Sequence, residues 1–186
     1  MKIALLAVGK ITPNILTDVS RALATTFPDT TGTVAQEVLT VPQQAFNKKR
    51  NQHNSTQILN HIQTFAQSHD EFQRVLGVAD VDVYASGLNY VFGEAYISGR
   101  AALISLWRLR PEFYGEEPDS GALKLRTLKE AVHELGHTLG LQHCTHSYCV
   151  MHFSNSIFEV DKKQSLFCDQ CYLTASLAIN RMDQQT

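Results

Sequence analysis

Apolar positions along the chain fall in short runs separated by turn residues. Residues 2–8 are apolar after Lys2 and stop at Gly9, the pattern of a buried strand. Thr12 and Pro13 supply an N-cap and a first-turn proline, and Ile15, Val19, Leu23 and Phe27 then keep one helical face. Residues 33–41 alternate enough for a second strand, closed by Pro42. Residues 46–52 are polar and read as a loop, with Lys48, Lys49 and Arg50 as solvated charge. Residues 55–66 place Ile58, Leu59, Ile62 and Phe65 on one side of a second helix. Three further strands are expected: 74–83, broken by Asp80 and Asp82, 89–97, containing Gly93, and 101–107. Residues 111–121 read as an acidic loop and 123–139 as a long helix, and a last helix is expected through Leu173, Leu177 and Ile179. Strands alternating with helices argue for an α/β layer on a mostly parallel sheet.

The long helix carries the chemistry. Residues 133–143 read H-E-x-x-H-x-x-G-x-x-H. His133 and His137 are four apart, so both imidazoles leave one helical face a turn apart, which suits two ligands of one zinc ion. Glu134 follows the first ligand, placed to take a proton from a water without being a ligand itself. Gly140 accepts the left-handed backbone that ends a helix, so the chain can turn back and bring His143 to the same metal. Three neutral imidazoles leave one position open, the layout of a catalytic rather than a structural site. Leu135, Leu139 and Leu141 explain burial of an amphipathic helix but not three histidines at ligand spacing.

Composition narrows the setting. A chain of 186 residues, 44% of them hydrophobic, can bury one ordinary core, so one compact domain is expected. A net charge of −2 gives no electrostatic case for nucleic acid or anionic membrane, and a monomer is the simplest expectation. The apolar run near the start is too short to span a bilayer, and Lys10 interrupts it before any cleavage site of a signal peptide. Asn54-Ser55-Thr56 matches a glycosylation acceptor, but without a secretory signal it reads as a helix start. The four cysteines, Cys144, Cys149, Cys168 and Cys171, all follow the histidine motif as C-x4-C and C-x2-C. That spacing fits zinc thiolates in a reducing cytoplasm better than it fits two disulfides.

With His143 followed directly by Cys144, then Cys149, then Met151 two further on, then C-x-x-C, the sequence resembles the archaemetzincins, zinc peptidases of the metzincin type. The spacer from Met151 to Cys168 is one residue shorter than the family's, a difference a loop absorbs. The resemblance implies a metzincin-like α/β (α+β) zincin fold: a twisted, mostly parallel sheet with an antiparallel edge strand and an active-site helix. It divides the single catalytic domain into an upper subdomain, residues 1–140, and a small lower one, residues 141–186. It implies two zinc ions per chain: a catalytic one on His133, His137 and His143, and a structural one on Cys144, Cys149, Cys168 and Cys171 that staples the short lower subdomain. Met151 becomes the Met-turn methionine beneath the catalytic metal. Residues 91–95, around Gly93, resemble the edge strand that metzincins hold above the zinc, where substrate binds. The Asn-Arg-Gln content of residues 47–52 also resembles the segment archaemetzincins carry before their second helix. His146 and His152, close to both motifs, read as surface histidines. No cysteine precedes the zinc helix, so latency through a thiolate switch is not expected.

The expected function is a zinc-dependent metallopeptidase acting on peptide or protein substrates, with Glu134 as general base. The rival is a zinc-stapled peptide- or protein-binding module with little proteolysis. A binding module has no need of a base beside its metal, so Glu134 favours the enzyme. A nucleic-acid-binding zinc ribbon is disfavoured by the absence of a basic stripe.

Overall fold

The computed structural model describes residues 1–184. In chain order its main elements are β1 (Lys2–Val8), α1 (Pro13–Thr26), β2 (Thr31–Leu39), β3 (Phe46–Asn47), β4 (Gln52–Asn54), α2 (Ser55–Ser68), β5 (Arg74–Ala79), β6 (Val83–Tyr84), β7 (Gly93–Ala95), β8 (Ala101–Ser105), α3 (Ser120–Thr138), α4 (Ile157–Lys162) and α5 (Asp169–Asp183). The main sheet has the order β2-β1-β5-β8-β7. Its pairings are parallel except β7 with β8, which is antiparallel and puts β7 at one edge.

Strand side chains alternate between two cores, as the pleat requires. Ile3, Leu5, Leu76, Val78, Ala102 and Ile104 face one side, with α1, α3 and α5. Ala4, Leu6, Val75, Ala79, Ala101 and Leu103 face the other, with α2. Both faces are covered, which is why β1, β5 and β8 read as unbroken apolar runs. Helix α2 starts where expected, with the Asn54 side chain accepting from Gln57 N at 3.0 Å.

The structure differs from the pattern reading at residues 46–54, at residues 74–84, and at residues 89–97, where only Gly93–Ala95 are strand. Residues 46–52 are not a plain loop: β3 pairs antiparallel with β4, and β4 pairs parallel with β6. Asn47 Oδ1 accepts from Lys49 N at 3.1 Å and Asn51 sits at φ 53, so polar turn chemistry makes a hairpin that periodicity does not register. The 74–83 run is two strands, because Asp80 and Asp82 leave the sheet to pair with Arg110 and Arg108. The last helix runs through Leu173, Leu177 and Ile179 as expected; it buries Ala175 and Ile179 and leaves Leu173 and Leu177 exposed. Its inward face is the one that continues from Cys171 at i+4 and i+8, so the cysteine rather than the leucines sets its rotation.

Helix α3 is capped by Asp119, whose side chain accepts from Gly121 N at 2.8 Å and Ala122 N at 3.0 Å. It runs between the sheet and the C-terminal segments, so most of its charged residues, Lys124 excepted, are buried. Three of them grip α4 and the residue after it. Arg126 makes a two-pronged pair with Asp161 at 2.8 and 2.7 Å and also donates to Leu109 O at 3.1 Å. Lys129 donates to the carbonyls of Val160 and Asp161 at 2.9 and 2.8 Å. Glu130 pairs with Lys163 at 2.9 Å. Among the described residues, no helix is long and apolar enough to cross a membrane.

Arg126→Ala removes one arm of this grip and leaves the Leu109 carbonyl without its donor. Denaturant unfolding should show a loss of about 2 kcal/mol; an unchanged midpoint would mean that α4 is held by apolar packing alone.

Candidate metal centre and active-site cleft

Helix α3 presents His133 and His137 from one face, with their Nε2 atoms 3.2 Å apart. The chain then turns at Gly140, φ 90, where Gly140 N bonds His137 O at 2.9 Å and Leu141 N bonds Gly136 O at 3.1 Å. This left-handed cap returns the chain and sets the His143 ring 4.9 Å from that of His137 and 5.3 Å from that of His133. One ligand atom from each histidine lies within 4.8 Å of the others.

The outward nitrogens fix the tautomers. His133 Nδ1 lies 2.8 Å from Val150 O, and His137 Nδ1 lies 2.8 Å from Leu141 O. A carbonyl can only accept, so each Nδ1 carries the proton and each Nε2 lone pair faces the centre. Burial holds the His133 pKa well below the ordinary value, reinforced by the charges of Lys163 and His137. Burial also lowers His137 and His143. Neutral imidazoles with converging lone pairs are the donor set a zinc ion needs, so the residues fit the metal.

Glu134 is buried beside this triad. Burial raises its pKa well above the usual carboxyl range, the Glu130 charge adds to this, and Lys163 opposes it. A dication among the histidines would draw it back down. Above Glu134 runs β7. A Cβ added to Gly93 would lie 2.6 Å from both Cγ and Oε1 of Glu134, so only glycine lets the strand come this close. The outer edge of β7 pairs with no other strand of the sheet. A cavity of about 430 Å³ joins the triad, Glu134, this edge strand and the wall formed by Phe153, Ser154 and Asn155.

The cysteines converge as a second group. Their four Sγ atoms lie within 4.8 Å of one another, and all four thiols are free of disulfides. Cys168 occupies the N-cap position of α5 and Cys171 sits in its first turn. Cys168 N bonds Cys149 Sγ and His146 N bonds Cys144 Sγ, each at 3.4 Å. Burial opposes ionisation of Cys168, but hydrogen bonds from the Cys171 backbone and His146 bring its pKa down to about 6. Burial pushes Cys149 and Cys171 up. Four converging sulfurs of unlike acidity are a donor set that a dication would bind as thiolates.

Met151 lies between the two groups, fully buried. A Cβ on Gly136 would be 2.4 Å from Met151 Sδ, which shows how tightly the sulfur packs under α3. His152 does not join either cluster; its Nδ1 lies 2.9 Å from Cys144 O.

The structure thus brings together the predicted triad, Glu134, Met151, Gly93 and the four cysteines. It adds residues that pattern reading passed over. Arg50 is not plain solvated charge: it stacks 4.2 Å over Tyr84 and donates to Leu88 O and Asn89 O at 2.9 and 2.8 Å, holding the loop that forms the upper lip. Gln52 donates to Asn89 O at 3.1 Å. Glu94 accepts from Ser55 and, at 2.8 Å, from Thr56, tying β7 to the start of α2. Glu130 shares the helical face of Glu134, a signal that was available at i−4; Lys163 had none.

A parallel sheet with an antiparallel edge strand over an H-E-x-x-H helix defines a metal-dependent peptidase. The chain belongs to peptidase family M54, whose model matches residues 27–176; it is a zinc metallopeptidase, a hydrolase. It is 53% identical to an archaemetzincin of Methanocaldococcus jannaschii over 131 residues, 70% of each chain. The crystal structure of the Methanopyrus kandleri archaemetzincin superposes with a TM-score of 0.85 at 34% identity, covering 97% of this chain and 96% of that one. That of the Archaeoglobus fulgidus archaemetzincin, complexed with malonate, gives a TM-score of 0.79 at 35% identity, covering 94% and 99%.

Gly136→Ala tests the packing under the histidines. Alanine gains about 1 kcal/mol of helix propensity, but overpacking a filled core costs about 1–3 kcal/mol. Thermal melts should show net destabilisation, with weaker zinc binding at the histidines. A higher melting temperature with unchanged zinc affinity would show Met151 to be a loose filler.

Proposed function

We propose that the cleft hydrolyses peptide bonds with Glu134 as general base, on substrates bound along β7. The observation that carries this reading is the buried Glu134 carboxylate, lodged between the three converging imidazoles and the unpaired edge of a strand. His133, His137 and His143 would hold zinc, which when bound acidifies water and polarises a peptide carbonyl. Glu134 takes a proton from the attacking water at its carboxylate as the new C–O bond forms. It then returns that proton to the peptide nitrogen as the C–N bond breaks. The β7 backbone supplies hydrogen bonds to an extended substrate, and Gly93 keeps side-chain bulk out of the space between strand and base. The Nδ1 bonds to Val150 and Leu141 hold the imidazoles in the ligating tautomer throughout.

In this reading a second zinc is held by Cys144, Cys149, Cys168 and Cys171 and has a structural role. The histidine site is open and the thiolate site closed, so a chelator should empty the first before the second. Residues 1–140 and 141–186 act as upper and lower subdomains of one catalytic domain working as a monomer, in the cytoplasm, without nucleic acid or membrane partners. Residues 185–186 lie outside the described residues.

Three substitutions separate the roles. With zinc-loaded protein and a peptide library, Glu134→Ala should abolish cleavage while keeping both metals. His143→Ala should lose the histidine-bound zinc. Cys168→Ala should be the least stable of the three, because an incomplete thiolate site loosens the lower subdomain. Thermal melts and zinc stoichiometry check this. If Glu134→Ala loses metal as fully as His143→Ala, base and ligand have been misassigned. If Cys168→Ala melts like the parent with both metals bound, the structural zinc is refuted.

A further inference from the structure

Two charged side chains of the cleft play no part in the reaction just described. Lys163 follows α4, and its side chain is wholly buried; its Nζ lies 2.9 Å from Oε1 of Glu130, whose own side chain is 4% exposed. The Lys163 Nζ also reaches His152 O at 3.4 Å. Both residues line the same cavity as Glu134 and the triad. Among the described residues Lys163 is the one ion-pair partner of the Glu130 carboxylate, and Oε1 is buried with no well-formed hydrogen bond, the charge of Lys163 being its polar neighbour. A buried ion pair costs desolvation that well-packed apolar side chains would avoid, so its place in a substrate cleft calls for a reason.

Its position supplies one. Glu130 is one turn before Glu134 on the same face of α3, on the side away from Gly140. That end of the cleft is closed. Tyr90 of the upper lip donates its hydroxyl to Asn155 O of the lower wall at 2.6 Å. Phe92, Leu123, Ile157 and Val160 form a buried cluster there, with Tyr90 packed against it. The order of groups along α3 also gives the cleft a direction, if the peptidase reading on which this rests is right. The departing nitrogen must come within reach of Glu134 to be protonated. The residue that leaves with it therefore lies on the Glu134 side of the histidines, towards Glu130.

We propose that Glu130 and Lys163 form the floor of a blind pocket for the side chain of the leaving residue. The pocket selects side chains that donate hydrogen bonds, basic or amide, over apolar ones. An apolar group seated there leaves a buried carboxylate oxygen unpaired, whereas a guanidinium, ammonium or carboxamide supplies the missing donor. Lys163 neutralises Glu130, so a full positive charge is not required and glutamine is accepted beside arginine and lysine. An acidic side chain meets Glu130 first and is refused.

The test uses zinc-loaded protein and peptides varied only at the leaving residue. Arginine, lysine and glutamine should exceed leucine and phenylalanine about tenfold in kcat/KM, which corresponds to about 1.4 kcal/mol. Changing either charge alone would strand the other in the interior and endanger folding. The variant is therefore the double change Glu130→Met with Lys163→Met, in which the preference should fall to within about twofold of leucine or reverse. A second readout needs no cleavage: calorimetry of argininamide and leucinamide on the zinc-loaded Glu134→Ala protein, with and without the double change. Argininamide should bind about tenfold more tightly, and the double change should remove that advantage. Cleavage with leucine or phenylalanine preferred, or a profile the double change leaves untouched, overturns the pocket while the peptidase reading stands. No cleavage of any peptide, but Glu130-dependent binding of argininamide, overturns the peptidase reading and keeps the pocket. Equal binding of the two amides overturns the pocket whatever is cleaved.

Discussion

The buried hydrogen bond from His133 Nδ1 to the Val150 carbonyl, 2.8 Å long, joins the two halves of the site. It aims the first imidazole of the triad from a segment that belongs to the cysteine cluster. The residue before, Cys149, gives its sulfur to that cluster. The residue after, Met151, fills the space against Gly136 on α3 and lends its carbonyl to Cys144 N at 2.9 Å. Cys144 in turn is bonded covalently to His143. Two of the three histidines are thus placed by the segments that carry the cysteines. The segment after Gly140 is short and has little apolar core of its own; in the proposed reading four thiolates on one metal would substitute for it. In that reading the geometry of the open metal site follows from the closure of the other.

The sheet and α3 contribute rigidity of another kind. Helix α3 buries a row of polar and charged residues, most of them answered: Arg126 by Asp161, Lys129 by the carbonyls ending α4, His133 and His137 by backbone oxygens. Above it, Arg50, Gln52 and Glu94 fix the lip and the edge strand. The base, the imidazoles and the strand that would receive substrate are all held by elements that do not touch substrate, the condition for a pre-organised site.

Much of this is legible in the sequence, for identifiable reasons. The triad and Glu134 follow from helical periodicity, and the return of His143 follows from the backbone freedom of Gly140. The inner strands show as unbroken apolar runs because both sheet faces are covered. What the sequence hid depends on contacts between residues distant along the chain. Arg50 looks like any surface arginine until Tyr84, Leu88 and Asn89 are brought to it. Lys163 stands in a polar stretch, and nothing local marks it as wholly buried against Glu130. The last helix is legible through Leu173, Leu177 and Ile179, but which of its faces turns inward depends on where Cys171 is held. The small hairpin at residues 46–54 escaped because asparagine turn chemistry, not alternation, builds it.

The central claim is that one short segment holds two zinc centres of different chemistry side by side. X-ray absorption at the zinc edge, on protein purified under reducing conditions, reads both at once. The expected spectrum contains a nitrogen or oxygen shell at about 2.0–2.1 Å and a sulfur shell at about 2.3 Å, with two zinc ions per chain. A spectrum with sulfur alone or with nitrogen and oxygen alone, at two zinc ions per chain, would contradict it.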